Sequence, residues 1–279
     1  MENTTVTATS RWERFPPGRG AGVQLHGVGN TIANNVFDSI PHQSIRVYGN
    51  DHLIEANTFR NSLFETSDSG VIYSGRDWTI LGNVVRGNTI TGVHSLYYPR
   101  LPWMYKVYPL PDGRWGDYVK CIHLDDQVGG FLIEGNSFTN YSFGFDINGG
   151  GRHTLRNNTF GQCPETQCTL VVSQHAVGGK RPWTKANKLP CEPINPSVLS
   201  NLMGLGAVPW NSVLWRTRYP RFAAMMDERT YCVPYGNAVV GNTYRGVPCV
   251  DYPVTENTGA ELRLWGFQQG NNTNTLHCN

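Results

Sequence analysis

The chain has 279 residues, of which only 16% are charged, and a formal net charge of +2. That balance gives no field to draw in nucleic acid, and there is no basic run to do so locally. No apolar stretch approaches the roughly 20 residues of a membrane-spanning helix, and the first 25 residues carry no secretory apolar segment.

Residues 1–22 are polar and Pro/Gly-containing, which predicts irregular structure. From residue 23 a repeat takes over. Its copies include Ile32–Phe37, Ile54–Phe59, Ile133–Phe138 and Leu155–Phe160, each with an Asn two places before the aromatic ring. Asn35 and Asn57 are 22 residues apart, and so are Asn136 and Asn158. Two more copies surround Asn88 and Asn242 at longer gaps. Short apolar strands recurring at that period with Asn/Gly turns predict a solenoid. The expected fold is all-β, a single-stranded right-handed parallel β-helix with enlarged loops and a Cys-rich C-terminal insertion. The repeated Asn reads as structure: its amide can stack in a ladder, and Asn tolerates a left-handed corner. The 31 glycines, against an average share near 7%, serve corners too.

A second strand follows in each unit. Ser44–Tyr48, Cys121–Asp125 and Gly144–Asn148 alternate apolar and polar residues with period two, so one set faces inward and the other outward. Ile45/Val47, Ile122/Leu124 and Phe145/Ile147 are expected inside. Arg46/Tyr48, His123/Asp125 and Asp146/Asn148 are expected to line up on the solvent face.

Three loops interrupt the repeat: Arg60 to Gly70, Thr91 to Lys120, and Gly161 to about Tyr235. The second is rich in Tyr and Trp, which pack loops onto coils or stack on sugar rings. The third has helical spacing in part, notably Phe222 to Met226. The domain reading is 1–22 irregular, 23–160 coils, 161–235 insertion, and 236–279 final coil and tail. A β-helix end needs a cap, so further coils N-terminal to this chain are an expected partner.

Six of the seven cysteines fall after residue 160, even in number and without zinc spacing. They read as disulfides of a secreted or luminal protein whose start is missing, or as unpaired cytosolic thiols. Asn3, Asn140, Asn157 and Asn271 open N-glycosylation triplets. No metal or cofactor motif is present, so no cofactor is expected.

Two acidic clusters carry the candidate chemistry: Glu65 to Trp78, containing Asp68, Tyr73, Arg76 and Asp77, and His123-Leu124-Asp125-Asp126. They flank the second strands of consecutive coils, so their carboxylates are expected roughly 5 to 10 Å apart, one or two rungs of about 4.8 Å. Paired carboxylates cleave glycosides at about 5 to 5.5 Å with retention and at about 6.5 to 9.5 Å with inversion. Structural readings compete: an Asp at a corner can accept backbone hydrogen bonds, and Asp77 beside Arg76 can be an ion pair.

The stretch Glu65-Thr66, Asp68 to Trp78, and then Leu124-Asp125-Asp126 resembles the pattern of right-handed β-helix proteins grouped as glycoside hydrolase family 141. There the usual form is close to E-T-x-D-A-G-A-I-Y-S-G-R-D-W and Y-L-D-D. Ser69 and Val71 stand where alanines are usual, and the aromatic loop before Cys121 is an addition. The resemblance implies a catalytic pair of aspartates, Asp68 with Asp125 or Asp126. It also implies that Arg76 and Asp77 shape the site.

The leading reading is thus a glycoside hydrolase acting on a polysaccharide or glycan, with Glu65, Tyr73, Arg76, Asp77, His123 and Arg46 binding substrate. A polysaccharide lyase would need a calcium site or a Lys/Arg base. Only Arg46 and Arg76 are expected near the acids, with no lysine among them. A non-catalytic glycan-binding or structural solenoid is the remaining reading.

Overall fold

A computed structural model describes residues 1–9, 20–66, 68–95, 119–126, 128–148, 150–161, 170–173, 190, 208–231, 233–245 and 266–274. Among the described residues all paired strands are parallel and form three sheets. The first contains, in spatial order, β1 (Thr5–Thr7), β4 (Val36–Ile40), β7 (Thr58–Ser62), β10 (Thr89–Val93), β13 (Ser137–Tyr141), β16 (Thr159–Phe160), β19 (Thr243–Tyr244) and β21 (Thr273–Asn274). The second contains β2 (Ala21–Leu25), β5 (Gln43–Val47), β8 (Ser69–Gly75), β11 (Val119–Asp125), β14 (Phe143–Asn148) and β17 (Leu170–Ser173). The third contains β3 (Thr31–Ala33), β6 (Leu53–Glu55), β9 (Val84–Arg86), β12 (Leu132–Glu134), β15 (Thr154–Arg156), β18 (Ala238–Val240) and β20 (Gln268–Gly270). Through most of the chain successive strands visit the three sheets in turn, as the coils of a parallel β-helix-like solenoid do.

The interior is a column of like on like. The Phe37 and Phe59 rings stack at 4.8 Å, Phe138 and Phe160 at 5.0 Å, and Phe160 and Tyr244 at 5.0 Å. Ile32, Ile54, Val85, Ile133, Leu155 and Val239 form the matching aliphatic column. These buried residues alternate with half-buried or exposed ones because each strand has only one face toward the interior.

The repeated asparagines form a continuous ladder. The backbone N–H of Asn35 donates to Asn57 Oδ1 at 2.9 Å, and the same bond runs from Asn57 to Asn88, Asn88 to Asn136, Asn136 to Asn158, Asn158 to Asn242 and Asn242 to Asn272. Each amide also donates through Nδ2 to the next amide oxygen, for example Asn88 to Asn136 at 2.9 Å. The left-handed corner is made one place earlier. Asn34, Ala56, Gly87, Gly135, Asn157, Gly241 and Asn271 all have φ between 52° and 66°. Corner geometry and amide stacking, expected of one residue, are thus divided between two. Asn157 and Asn271 of the glycosylation triplets are such corner residues, so the repeat itself writes those triplets.

A second polar ladder runs along the corner before the third sheet. His52 N–H donates to Asn83 Oδ1 and His153 N–H to Asn237 Oδ1. His153 is fully buried; its Nδ1 accepts from Phe131 N–H at 3.2 Å, and Nε2 donates to Val128 O at 2.8 Å. That pairing needs the neutral ring, and burial pushes its pKa down to about 4.

The strand β1 lies inside the 1–22 segment expected to be irregular: it pairs with β4, and Val6 packs on the core. Much of the 161–235 insertion and the 96–118 part of the aromatic loop lie outside the described residues, as do all six late cysteines. What is described of the insertion contains β17, paired with β14, and two helices, α1 (Val213–Arg218) and α2 (Pro220–Asp227). Ser212 caps α1 through its hydroxyl. The helices cover a satellite core of Trp78, Leu81, Phe222, Tyr231 and Val233, and Tyr219 OH donates to Asp51 Oδ2 at 2.8 Å to hold them on the coils. Among the described residues no helix is long and apolar enough to cross a membrane.

Asn88→Ala removes a buried acceptor and two donors at once and leaves its neighbours unpaired, a loss of about 3 kcal/mol. Thr89→Ala, on the exposed side of the same corner, is expected to stay within about 0.5 kcal/mol. Urea unfolding separates the two. His153 gives a pH test: its folded pKa lies below the unfolded value of 6.5. Its contribution is therefore present above about pH 6.5 and is lost as pH falls toward 4, about 3 kcal/mol in all. His153→Asn, the residue used at the same corner by Asn83 and Asn237, is expected to flatten that dependence in unfolding midpoints measured from pH 7 to 4.

Candidate functional site

The outward face of the second sheet assembles the acidic clusters. Its register puts Gln24 beside Arg46, Arg46 beside Tyr73, Tyr73 beside His123, and His123 beside Asp146, with Val23, Ile45, Ile72, Ile122 and Phe145 as the inward row. Arg46, Tyr73, His123 and Asp146 thus stand on consecutive rungs.

Two glycines allow β8 and β11 to close up. A Cβ on Gly70 would sit 2.7 Å from both Cβ and N of His123, and one on Gly75 would sit 2.7 Å from the Asp125 carbonyl oxygen. Three non-glycine residues beside these strands hold left-handed backbone: Asp68 (φ 49°), Arg76 (φ 65°) and Asp126 (φ 40°). Such conformations persist only where surrounding structure enforces them. Here Arg76 N–H donates to the carbonyls of Asp125 and Asp126, and Gln43 Nε2 donates to Ser69 Oγ at 3.1 Å beside Asp68.

The side chains form one connected polar network. Lys120 Nζ donates to Asp68 Oδ1 at 2.9 Å and lies 3.4 Å from Asp146 Oδ2. His123 Nε2 is 3.4 Å from the same Asp146 oxygen and 3.6 Å from Asp125 Oδ1. Tyr73 OH donates to Asp125 Oδ2 at 2.6 Å, while Arg76 holds Asp126 through Nε at 2.7 Å and stands 3.9 Å from Asp125. The lysine, His123 and Asp146 side chains are 1 to 2% exposed, whereas that of Asp68 is 53% exposed. An open carboxylate therefore sits over a buried ionic floor.

Burial pulls against ionisation of Asp68, but the Lys120 charge and hydrogen bond more than offset that and hold its carboxyl below the ordinary value. Burial, aided by Lys120, pushes His123 down despite the pull of Asp146, Asp125 and Asp68, so the imidazole stays neutral at pH 7. Neither of its nitrogens makes a hydrogen bond among the described residues. Burial and then Asp125 push the Tyr73 phenol far up, so it remains a donor.

Of the residues singled out from sequence, Asp68, Tyr73, Arg76, His123, Asp125 and Asp126 come together here. Arg46 flanks them, its guanidinium carbon 5.1 Å from the Tyr73 ring centre. Glu65 is exposed in the turn before β8, and Asp77 accepts from the Thr79 backbone and hydroxyl, a local turn that starts the run to Trp78 and the helices. The expectation of no lysine near the acids is overturned by Lys120. Reading alternation back from Ile122 puts Lys120 inside. But Cys121 and Ile122 are both core residues, as are Val71 and Ile72 opposite them. The alternation therefore reverses between them, and Lys120 and His123 face the same way. The doubled apolar pair in each strand is the signal that could have found it. Among the described residues no group of His, Cys, Asp and Glu is arranged to hold a metal ion.

No family model, curated protein or solved structure matches the chain.

Lys120→Met strands Asp146 as a buried, unpaired carboxylate and is expected to cost about 3–5 kcal/mol. Lys120→Met with Asp146→Leu removes both charges and is expected to recover most of that loss. Equilibrium unfolding of the single and double variants measures the coupling, and additive losses would remove the ion pair from the account of the site.

Proposed function

We propose that this face of the second sheet is a glycan site and that the protein is a glycoside hydrolase on a right-handed β-helix, of the kind the Asp68 and Asp125 blocks resemble. The observation that carries the reading is the solvent-open Asp68 joined through Lys120, Asp146 and His123 to Asp125. A solenoid needs no such network for its fold, and burying charges this way is weak help to stability.

The roles follow from the surroundings of each group. Asp68 is the ionised member, exposed and fixed by the Lys120 ammonium, suited to act as nucleophile or to take a proton from water. Asp125 is the candidate acid: it would pass its proton to the glycosidic oxygen, and Tyr73 then stabilises the carboxylate left behind by donating to Oδ2. Asp126, bound to Arg76 at the left-handed turn, positions Arg76 rather than reacting. The neutral imidazole of His123 is as deeply buried as Lys120, so it cannot touch sugar; it stands between Asp125 and Asp146 and helps to position Asp125 from beneath. Elimination, the lyase reading, gains a lysine from the geometry, but one sealed between two carboxylates that cannot reach a sugar. The secreted or luminal setting proposed with this function rests on the even count of late cysteines.

Asp68→Asn and Asp125→Asn are each expected to lower turnover by about 10²–10⁴-fold while leaving unfolding midpoints nearly unchanged for Asp68. Release of reducing ends from a panel of polysaccharides, with aryl glycosides alongside, is the readout. Glycan binding with no turnover by the unaltered protein would establish the non-catalytic alternative, and full turnover by Asp68→Asn would remove the hydrolase assignment.

A further inference from the structure

Four strand arginines are described, and three follow one rule. Arg60 pairs with Asp38 at 2.8 Å, Arg86 with Glu55 at 2.8 Å, and Arg156 with Glu134 at 2.7 Å. In each case the acid stands at the same register position one rung away. Where arginine serves the coils of this solenoid, an adjacent carboxylate answers it. Arg46 breaks the rule: its rung neighbours are Gln24 and Tyr73. Among the described residues it makes no ion pair, and its guanidinium instead lies against two rings, 5.0 Å from the Tyr48 centre and 5.1 Å from that of Tyr73. His26 stacks on Tyr48 at 4.6 Å and 15°, extending the platform outward.

Stacking on aromatic faces holds a guanidinium in place without using its N–H donors. Half-buried Arg46 therefore keeps a planar fork whose donors are not spent on a carboxylate of the coils, the geometry that takes a carboxylate or a sulfate through two parallel bonds. The exposed His26 ring, backed by Tyr48, offers a flat surface of the sort that accepts the CH face of a sugar. Tyr73 connects the two regions, lying against Arg46 with its ring and holding Asp125 with its hydroxyl. From Arg46 to Asp125 is two rungs, about 10 Å.

We infer that Arg46, Tyr48, His26 and Tyr73 form a subsite for an anionic sugar residue, one bearing a carboxylate or sulfate, two rungs from Asp125. The ligand of this sheet face is thus an acidic glycan rather than a neutral one. This deepens the glycan reading above and rests on it.

Affinity electrophoresis tests it with the intact protein in gels containing polygalacturonate, its fully methyl-esterified form, dextran sulfate or neutral dextran. The unaltered protein is expected to be retarded by polygalacturonate, dextran sulfate or both, and not by the ester or by dextran. Retardation by polygalacturonate alone identifies the carboxylate, and by dextran sulfate alone the sulfate. Arg46→Gln is expected to weaken the interaction by about tenfold or more. Arg46→Lys keeps the charge but not the fork and is expected to fall between. Arg60→Gln, which lowers the net charge equally on another sheet, is expected to leave it unchanged. Asp125→Asn is expected to keep retardation while losing turnover. The subsite is overturned if Arg46→Gln binds as tightly as the unaltered protein, if Arg60→Gln weakens binding to the same degree, or if neither polyanion retards the protein. Asp125-dependent cleavage of a neutral glycan in those cases would leave the hydrolase standing without the subsite. Retardation dependent on Arg46 with no cleavage of any glycan would leave the subsite without the hydrolase.

Discussion

The buried corner amide is the interaction on which the molecule depends. At each turn into the first sheet the chain must leave one strand and enter the next while burying a backbone N–H that no strand partner can reach. The asparagine of the following coil supplies the acceptor, and its own Nδ2 returns a bond to a carbonyl such as that of Ile54 or Val85. Every such bond bridges two rungs, so coil register is fixed at the corner independently of what lies between corners. Asn35 and Asn57 are 22 residues apart and Asn158 and Asn242 are 84 apart, yet the bond is 2.9 Å in both cases. Loops of any length can be inserted without disturbing the rungs, because the closing interaction does not involve them.

That fixed register turns sequence-distant residues into a site. Asp68 meets Lys120, and Tyr73 meets Asp125, 52 residues away in each case, only because β8 and β11 are adjacent rungs held in step. Gly70 and Gly75 then set how closely the two strands approach beneath the carboxylates. The energetic cost runs the other way. Four carboxylates, a lysine and a neutral histidine occupy a face where outward polar residues could simply have been solvated. Left-handed Asp68, Arg76 and Asp126 add backbone strain at the same place. The coincidence of buried charge and strain on one face is why it reads as chemistry and the rest of the surface does not.

The solenoid was legible because its signals are local and repeated: a ring two residues after an Asn, and apolar residues at alternate positions. The outward row of Arg46, His123 and Asp146 follows from the same alternation. Asn272 was not legible, since Gln269–Asn274 has an asparagine at the place where the other copies carry a ring or Ile90, although its amide completes the ladder. The second ladder escaped notice because His and Asn exchange along it, and Phe131 interrupts it. Lys120 was hidden by the reversal of alternation at Cys121-Ile122, which a strict period-two reading carried back from Ile122 passes over. Asp146 was placed on the correct face, but its part in the network needs the lysine and histidine that flank it.

The row from Gln24 to Asp146 also has a direction. Over four rungs, about 20 Å, it passes from an amide through an arginine and a phenol to an imidazole and a carboxylate. A compact ligand would lie over only one or two of these groups, whereas an extended polymer along the sheet would pass over all of them in order, including the buried His123 and Asp146. Such a gradient distinguishes the two orientations of a chain, because reversing it would set an anionic group against Asp146 and Asp125 instead of Arg46. Parallel coils make this possible: every rung repeats the same backbone, so only the side-chain identities along the row differ, and the polarity of the sheet face is written entirely in them.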